Sequence, residues 1–163
     1  MRRRAVAAAV LAAAALLARV PVHDLARGLD VGRHALMPQA IFSERAMAFA
    51  RARGLAGPVF TSMNLGGFVE WELYPSARVF QDARLQAYPA AHFRATIDAS
   101  TSPEAWARLT AGVDWAVVSL ARVNDLSGVG RFDPAEWGSV YSDEAIEILV
   151  RRGGAFGALA PAR

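Results

Sequence analysis

Hydrophobic side chains are distributed unevenly along the chain, and the most apolar stretch is at its start. Three Arg residues follow Met1, then come fourteen residues, Ala5 to Ala18, without a polar side chain, and Arg19 and a Val-Pro-Val segment close the run. A membrane-spanning helix needs about 20 apolar residues, and Arg19 can extend its charged end to the membrane surface. Residues 1–22 are therefore predicted to form a membrane helix, either a single anchor or the last helix of a bundle, in which small side chains pack well.

Two other interpretations of this segment compete with a membrane helix. A secretory signal peptide also has a basic start and an apolar stretch, but it needs small residues before its cleavage site, and Ala18-Arg19-Val20 before Pro21 is a poor site. A helix that stays in water is the third interpretation. For a membrane helix, the positive charges at its start predict a cytoplasmic N-terminus and a C-terminal domain on the extracytoplasmic side of the cell membrane.

The rest of the pattern predicts a linker followed by helices that alternate with strands. Residues 23–38 contain glycine, proline and mixed polarity, as is typical of a linker. Helices are predicted over residues 38–53, 86–98 and 103–112, and the last has Ser102 as its cap and Pro103 in its first turn. Strands are predicted over residues 58–61, 78–81, 113–120, 138–141 and 145–150, with the last two joined as a hairpin. Residues 62–67 are predicted to be a loop, and residues 133–136 a single helical turn.

Strands that alternate with helices are typical of an α/β fold. The sequence therefore predicts an N-terminal transmembrane helix followed by a small α/β domain over residues 39–152, with a mixed sheet of about five strands and a C-terminal β-hairpin. Residues 153–163 show no periodicity and are predicted to be a disordered tail. The four Trp residues belong to separate elements, so core packing explains them better than a platform for a sugar ring.

Composition and charge exclude several kinds of function. All 18 basic residues are Arg, and the chain has neither Lys nor Cys. Without Lys there is no Walker A phosphate loop and no Schiff-base or Ser-Lys catalysis; without Cys there is no thiol catalysis, thiolate zinc site or disulfide. The formal charge is +3, but four Arg and no acid lie in residues 1–22, so the remaining 14 Arg face 15 acids. The folded part lacks the basic excess that binds nucleic acid.

No arrangement typical of a catalytic centre or a cofactor site occurs in the sequence. The three His residues, His23, His34 and His92, do not stand in a metal-ligand spacing, so no metal site is predicted. The segment Gly128-Val129-Gly130 lacks the third glycine of a dinucleotide-binding turn, and the chain has no Gly-x-Ser-x-Gly motif. We therefore predict no catalytic residue and no cofactor.

Polar side chains cluster after the first two strands of the domain. Asn64 follows the first strand, and Asp82, Arg84 and Tyr88 follow the second. The carboxyl ends of parallel strands share one edge of an open α/β sheet, so these four residues form the candidate pocket, which would suit a hydroxyl-rich or anionic group. The structural interpretation, which we favour, is that Asp82 pairs with Arg84 and that Asn64 and the glycines after it make a tight turn.

The order of short motifs over residues 56–152 resembles a known family. An Asn precedes Gly-Gly-aromatic-x-x-Trp-x-Leu-Tyr-Pro, which is followed by Val-Phe-x-Asp-x-Arg-x-x-x-Tyr, Gly-Val-Asp-Trp and Trp-x-x-Val-Tyr-x-Asp. In this order the chain resembles the extracytoplasmic C-terminal domain of bacterial polytopic membrane proteins of the GT-C type, similar to dolichyl-phosphate-mannose-dependent mannosyltransferases. The matching residues are Asn64, Gly66, Gly67, Phe68, Trp71, Leu73, Tyr74, Pro75, Val79, Phe80, Asp82, Arg84, Tyr88, Asp114, Trp115, Trp137, Tyr141 and Asp143. The chain departs from the family at Leu65, where an aromatic residue is usual, and at Ala83, where glycine is usual.

The resemblance implies a non-catalytic role. Such proteins carry their catalytic acid in an early extracytoplasmic loop among many membrane helices, so we expect this chain to be a fragment or freed domain that assists donor or acceptor handling or assembly, and to transfer no sugar alone. Its implied partners are the lipid bilayer, other membrane helices and, through the parent protein, a polyprenyl-phosphate sugar or saccharide. The alternatives are a stand-alone membrane-anchored module that binds a saccharide or an anion, and a structural partner domain.

Overall fold

The computed structural model describes residues 42–120 and 131–162, which belong to Pro38–Arg163, one of the two compact units into which the chain divides. The predicted membrane helix over residues 1–22 and the linker over residues 23–38 lie outside the described residues, as do His23, His34 and the glycines near residue 129. Within the described part, no helix combines the length and the apolar character needed to cross a bilayer.

A five-stranded mixed sheet forms the centre of the described fold. Its strands are β1 (Gly57–Thr61), β2 (Ala77–Val79), β3 (Trp115–Ser119), β4 (Trp137–Ser142) and β5 (Ile146–Arg151). Their order is β2-β1-β3-β5-β4, with β2 and β3 parallel to β1, and β5 antiparallel to both β3 and β4. The predicted α/β class, the mixed sheet of about five strands and the C-terminal hairpin are confirmed.

Helices cover this sheet, and two of the four described α-helices begin at a serine whose side chain caps them. The α-helices of the described residues are α1 (Glu44–Ala52), α2 (Met63–Leu73), α3 (Ala90–Thr101) and α4 (Pro103–Leu109), and the 3₁₀ helices are Leu85–Ala87 and Gly157–Leu159. The hydroxyls of Ser43 and Ser102 each accept a hydrogen bond of 3.1 Å from a backbone amide in the first turn of α1 and α4, respectively. The predicted start at Ser102, with Pro103 in the first turn, is confirmed.

The central strands are apolar on both sides because both faces of the sheet are covered. On one face, Val59 of β1 and Val117 of β3 pack with apolar residues of α1 and α2. On the other face, Phe60 of β1 and Val118 of β3 pack with a cluster that includes Trp106 of α4. Alternate residues of each central strand therefore contribute to two separate hydrophobic clusters.

Two local predictions are wrong. Residues 63–67, predicted as loop, are the first part of α2. Trp71, predicted to be a core residue, is 68% exposed, because the buried positions of α2 fall on the opposite side of that helix. The single helical turn predicted for residues 133–136 is present: the amides of Glu136 and Trp137 donate to the carbonyl of Asp133 at 2.9 and 2.8 Å, and Oδ1 of Asp133 accepts the amide of Ala135 at 2.8 Å. Trp115 and Trp137 are buried, as predicted.

The chain does not fray after Arg152, and the disordered tail predicted for residues 153–163 is wrong for residues 153–162. Phe156 and Ala160 pack against the core cluster formed by the sheet with α1 and α2. Gly138 of β4 permits the close approach of this segment, since a Cβ there would lie 2.7 Å from the Cβ of Ala160. The folded domain therefore continues beyond its predicted end at residue 152.

Candidate functional site

The carboxyl ends of the parallel strands β1 and β2 carry the predicted pocket residues. The segment after β2 continues beside β1, because the amide of Phe80 donates to the carbonyl of Val59 at 2.9 Å. The hydroxyl of Thr61, the last residue of β1, donates to the carbonyl of Gln81 at 3.0 Å. These two hydrogen bonds hold the residues that precede Asp82 against the end of β1.

Gly66 determines how closely α2 approaches this segment. A Cβ at Gly66 would lie 1.8 Å from the carbonyl oxygen of Gln81, whereas a Cβ at Gly67 would meet nothing within 4 Å. The two glycines therefore belong to a helix and not to the tight turn that the sequence predicted. Only the first of them is required, because any side chain at Gly66 would collide with the backbone of the loop after β2.

Asp82 is the centre of a hydrogen-bonded group at this edge. It is 2% exposed, and its carboxylate accepts the backbone amide of Arg84 at 2.7 Å and Nε of Arg84 at 2.8 Å. Nη2 of Arg84 bonds both to Asp82 and to Glu70 of α2. Tyr88 lies close enough to Asp82 for its phenol to help lower the pKa of this carboxyl. These hydrogen bonds therefore join residues of the loop after β2 to one another and to α2.

The charges within this group stabilise one another. The hydrogen bond from the Arg84 side chain lowers the pKa of Asp82, although burial acts in the opposite direction. The same bond raises the pKa of Arg84. Burial, and after it the negative charge of Asp82, raises the pKa of the Tyr88 phenol. At neutral pH the group consists of a carboxylate, a guanidinium and a neutral phenol.

The structure brings together three of the four predicted pocket residues, namely Asp82, Arg84 and Tyr88. Asn64 lies exposed in the first turn of α2, and no hydrogen bond among the described residues joins its side chain to the other three. The predicted pairing of Asp82 with Arg84 is confirmed. A binding role for the four residues stays a prediction.

His92 of α3 belongs to the same edge but is not among the predicted pocket residues. Its ring centroid lies 4.6 Å from that of Phe80 and 4.9 Å from that of Tyr88. Burial lowers the pKa of His92 below its ordinary value, so the imidazole is neutral at pH 7. His92 comes four residues after Tyr88, and both lie in the helix predicted for residues 86–98. Residues four apart share one side of a helix, so the sequence could have indicated that these two rings are neighbours.

The motif residue Asp143 is also bonded within the fold. Its carboxylate accepts the amides of Ala145 and Ile146 at 2.9 Å, the phenol of Tyr141 at 2.8 Å and the hydroxyl of Ser43. Burial alone would raise the pKa of Asp143, but these hydrogen bonds, that from Ser43 first, lower it overall. Asp143 thus fastens the start of α1 to the turn between β4 and β5.

A cavity of about 340 Å³ lies where α3 meets α4. Arg131 in its lining donates to the carbonyl of Ala99 at 2.6 Å and to that of Ser100, so its guanidinium closes the end of α3 and is not free for an anion. Among residues 42–120 and 131–162, no group of three His, Asp or Glu side chains is placed to hold a metal ion.

Comparisons with known proteins give no match, whether with family models, with curated proteins or with solved structures. The resemblance to the GT-C family therefore stays an expectation from its motifs.

Proposed function

We propose that the chain is the non-catalytic extracytoplasmic domain of a glycosyltransferase-like integral membrane protein, held at the membrane by residues 1–22. What supports this proposal is the way in which two of the motif segments fit together. Gly66 of the first segment lies against the carbonyl of Gln81, the residue before Asp82 of the second. Asp82 and Arg84 then close the second segment on itself. Motifs that depend on each other for packing are expected of a common domain more than of chance similarity.

Two of the three motif acids, Asp82 and Asp143, favour a positioning or assembling role over chemistry. Asp82 and Asp143 both accept several hydrogen bonds from groups of the fold. A general acid or base needs an atom that reaches the substrate. We therefore assign sugar transfer, and the polyprenyl-phosphate sugar that would be its donor, to the membrane part of a parent protein, and to this domain the handling of donor or acceptor, or assembly with other membrane helices.

Fusion of reporters after Arg163 tests the topology. An enzyme that is active only outside the cytoplasm should be active in the fusion, because the Arg residues after Met1 keep the N-terminus inside. A reporter that works only in the cytoplasm should be inactive, and activity of that reporter would refute the proposal. The DNA upstream of Met1 distinguishes a domain of a larger membrane protein from a stand-alone module. An open reading frame that encodes hydrophobic helices supports the larger protein, and a stop codon nearby favours the stand-alone module.

The second candidate function is a membrane-anchored module that binds an anion or saccharide beside Arg84. The observation that favours it is that the Arg84 side chain is 61% exposed and so within reach of an anion in solution. If this module is correct, Arg84→Ala should abolish the binding of inorganic phosphate, in addition to lowering the melting temperature through loss of the ion pair with the buried Asp82. A lower melting temperature with unaltered phosphate binding would instead assign Arg84 a structural role.

A further inference from the structure

Two large aromatic side chains at the end of α2 are exposed. Trp71 is 68% exposed and Tyr74 is 75% exposed. They are three residues apart, so both lie on the side of the helix that faces away from the sheet. The other large hydrophobic side chains exposed in the described residues, Leu85, Ile97 and Leu120, belong to other segments. Single exposed apolar residues are normal, whereas neighbouring ones are more typical of an interaction surface.

Arginine side chains flank this aromatic pair on both sides. Successive residues of an α-helix are about 100° apart, so Trp71 points outward between Glu70 and Glu72. Nη2 of Arg84, from the loop after β2, bonds to Glu70. Nη1 of Arg51, from α1, donates to Glu72 at 3.0 Å. The side chain of Arg84 is 61% exposed and that of Arg51 is 48% exposed, so a guanidinium borders the outer face of α2 on either side.

This combination of side chains suits the surface of a lipid bilayer. Trp and Tyr have an apolar body and one polar atom, and they are enriched where the membrane meets water. Arg lays its stem along apolar surface while its guanidinium bonds to phosphate. Trp, Tyr and Arg are also common at the centres of protein interfaces. The partner is therefore decided by what lies within reach of the domain.

The length of chain before the described domain keeps a bilayer within reach. The proposed membrane helix ends at residue 22, and the described residues begin at residue 42. The 19 residues from 23 to 41 span at most about 65 Å when fully extended. A surface held this close has a high effective concentration, so even a weak attraction is sufficient for contact. This proximity rests on the proposed function, in which residues 1–22 are the anchor.

We propose that Trp71 and Tyr74 insert their rings into the headgroup region of the bilayer that anchors the chain. The guanidiniums of Arg51 and Arg84 then lie level with the lipid phosphates. The outer face of α2 is thus directed toward the bilayer, and α3, which contacts the cluster on the opposite face of the sheet, is directed away from it. The membrane holds the domain in one orientation instead of leaving it free to turn on its tether.

Quenching of Trp fluorescence by brominated lipid tests this orientation in the full chain. The chain is reconstituted into vesicles of equal parts phosphatidylcholine and phosphatidylglycerol, with bromine on the acyl chains near the headgroup. Bromine quenches the Trp rings that touch the lipid. Of the four Trp residues of the chain, Trp71 is the one with a largely exposed side chain, and residues 1–41 contain none. We expect total emission to fall in the unaltered chain and not to fall in Trp71→Phe.

A Trp moved to another exposed position is the matched control. Ile97 of α3 is 59% exposed, and Ile97→Trp in the Trp71→Phe chain places a ring there. Its emission should be the same with and without bromine. Tyr74→Ser should reduce the quenching of Trp71, because one of the two inserted rings is lost. Since Trp71 and Tyr74 are exposed, their substitutions should change the melting temperature by less than about 2 °C.

Two results would overturn the proposal. The first is equal emission of the unaltered chain in brominated and plain vesicles, which decides the matter even if a variant does not fold. The second is equal quenching of Trp71 and of the Ile97→Trp ring, which would mean that the domain has no preferred orientation. Retention of the chain by vesicles washed with alkaline carbonate shows separately whether residues 1–22 anchor it. Retention without quenching refutes this contact alone, and release without quenching refutes the proposed anchor as well.

Discussion

Replacement of Asp82 by asparagine tests whether the motif acid stabilises the fold. The amide keeps the size of the carboxylate and one acceptor oxygen, so the bond from the backbone amide of Arg84 can persist. The second oxygen becomes an NH₂ group, which cannot accept the bonds that Nε and Nη2 of Arg84 donate. The variant therefore removes the ion pair with little change of shape.

The expected loss follows from the burial of the two partners. A hydrogen bond to a charged group contributes about 1.5–3 kcal/mol, and Asp82 is 2% exposed. The Arg84 side chain is 61% exposed, so water and Glu70 satisfy part of what it loses. We expect Asp82→Asn to reduce the free energy of unfolding by about 2 kcal/mol, which is less than the roughly 3–6 kcal/mol of two fully buried bonds of this kind because the Arg84 side chain is largely exposed. For a chain of this size, the melting temperature should fall by roughly 8 °C.

The lowered pKa of Asp82 determines how its contribution to stability changes with pH. The pKa of Asp82 is lower in the folded state than the value of about 3.9 expected when unfolded. Its contribution is therefore fully present above about pH 5 and is lost as the pH falls through the folded pKa. The difference between the unaltered chain and Asp82→Asn should be constant from pH 5 to about pH 8 and shrink below about pH 4.

Thermal and urea unfolding of the full chain, followed by circular dichroism at several pH values, measure both effects. Asp98→Asn, which alters an exposed carboxylate of α3, is the control and should change stability by less than about 0.5 kcal/mol. Changing Asp82 and Arg84 together to apolar residues of similar size should recover much of the loss. An unshifted melt of Asp82→Asn, or a difference that persists unchanged at pH 3, would refute the reasoning.

Four further substitutions, of which Gly67→Ala is a control, test the packing and the hydrogen bonds of the domain. Gly66→Ala should destabilise the fold by about 1–3 kcal/mol in urea unfolding, because the new methyl carbon collides with backbone; Gly67→Ala, in open space on the same helix, should be neutral or stabilise by up to about 1 kcal/mol. Asp143→Asn should lower the melting temperature above pH 5 and much less below about pH 4, since the pKa of this carboxyl is lowered in the fold. Phe156→Ala should cost about 2 kcal/mol in thermal unfolding if the C-terminal segment packs on the core as described; an unchanged melt would contradict that packing.

Local patterns predicted the strands and the capped helix because those elements depend on neighbouring residues. The β-branched run that became β3 is buried throughout its first four residues, and the Ser102-Pro103 pair fixes the start of α4 without tertiary help. The hairpin of β4 and β5 likewise follows from two apolar runs separated by a short polar turn.

The wrong predictions for residues 63–67 and for the segment after Arg152 have a common physical cause. In both, tertiary contacts override the local preference of the sequence. Two adjacent glycines disfavour a helix, yet Gly66 lies inside α2 because only glycine allows the loop after β2 to pass there. The segment after Arg152 has no periodicity, since Phe156 and Ala160 pack individually into a core built by distant strands. Neither contact is visible in a window of neighbouring residues.

The same distinction between local and tertiary contacts applies to the candidate site. The spacing of Asp82 and Arg84 was sufficient to predict their pairing, because residues two apart at a strand end reach each other locally. That Oγ of Ser62 and Oε1 of Gln81 have no hydrogen-bond partner among the described residues could not be predicted, since a missing hydrogen bond is a property of burial and not of sequence.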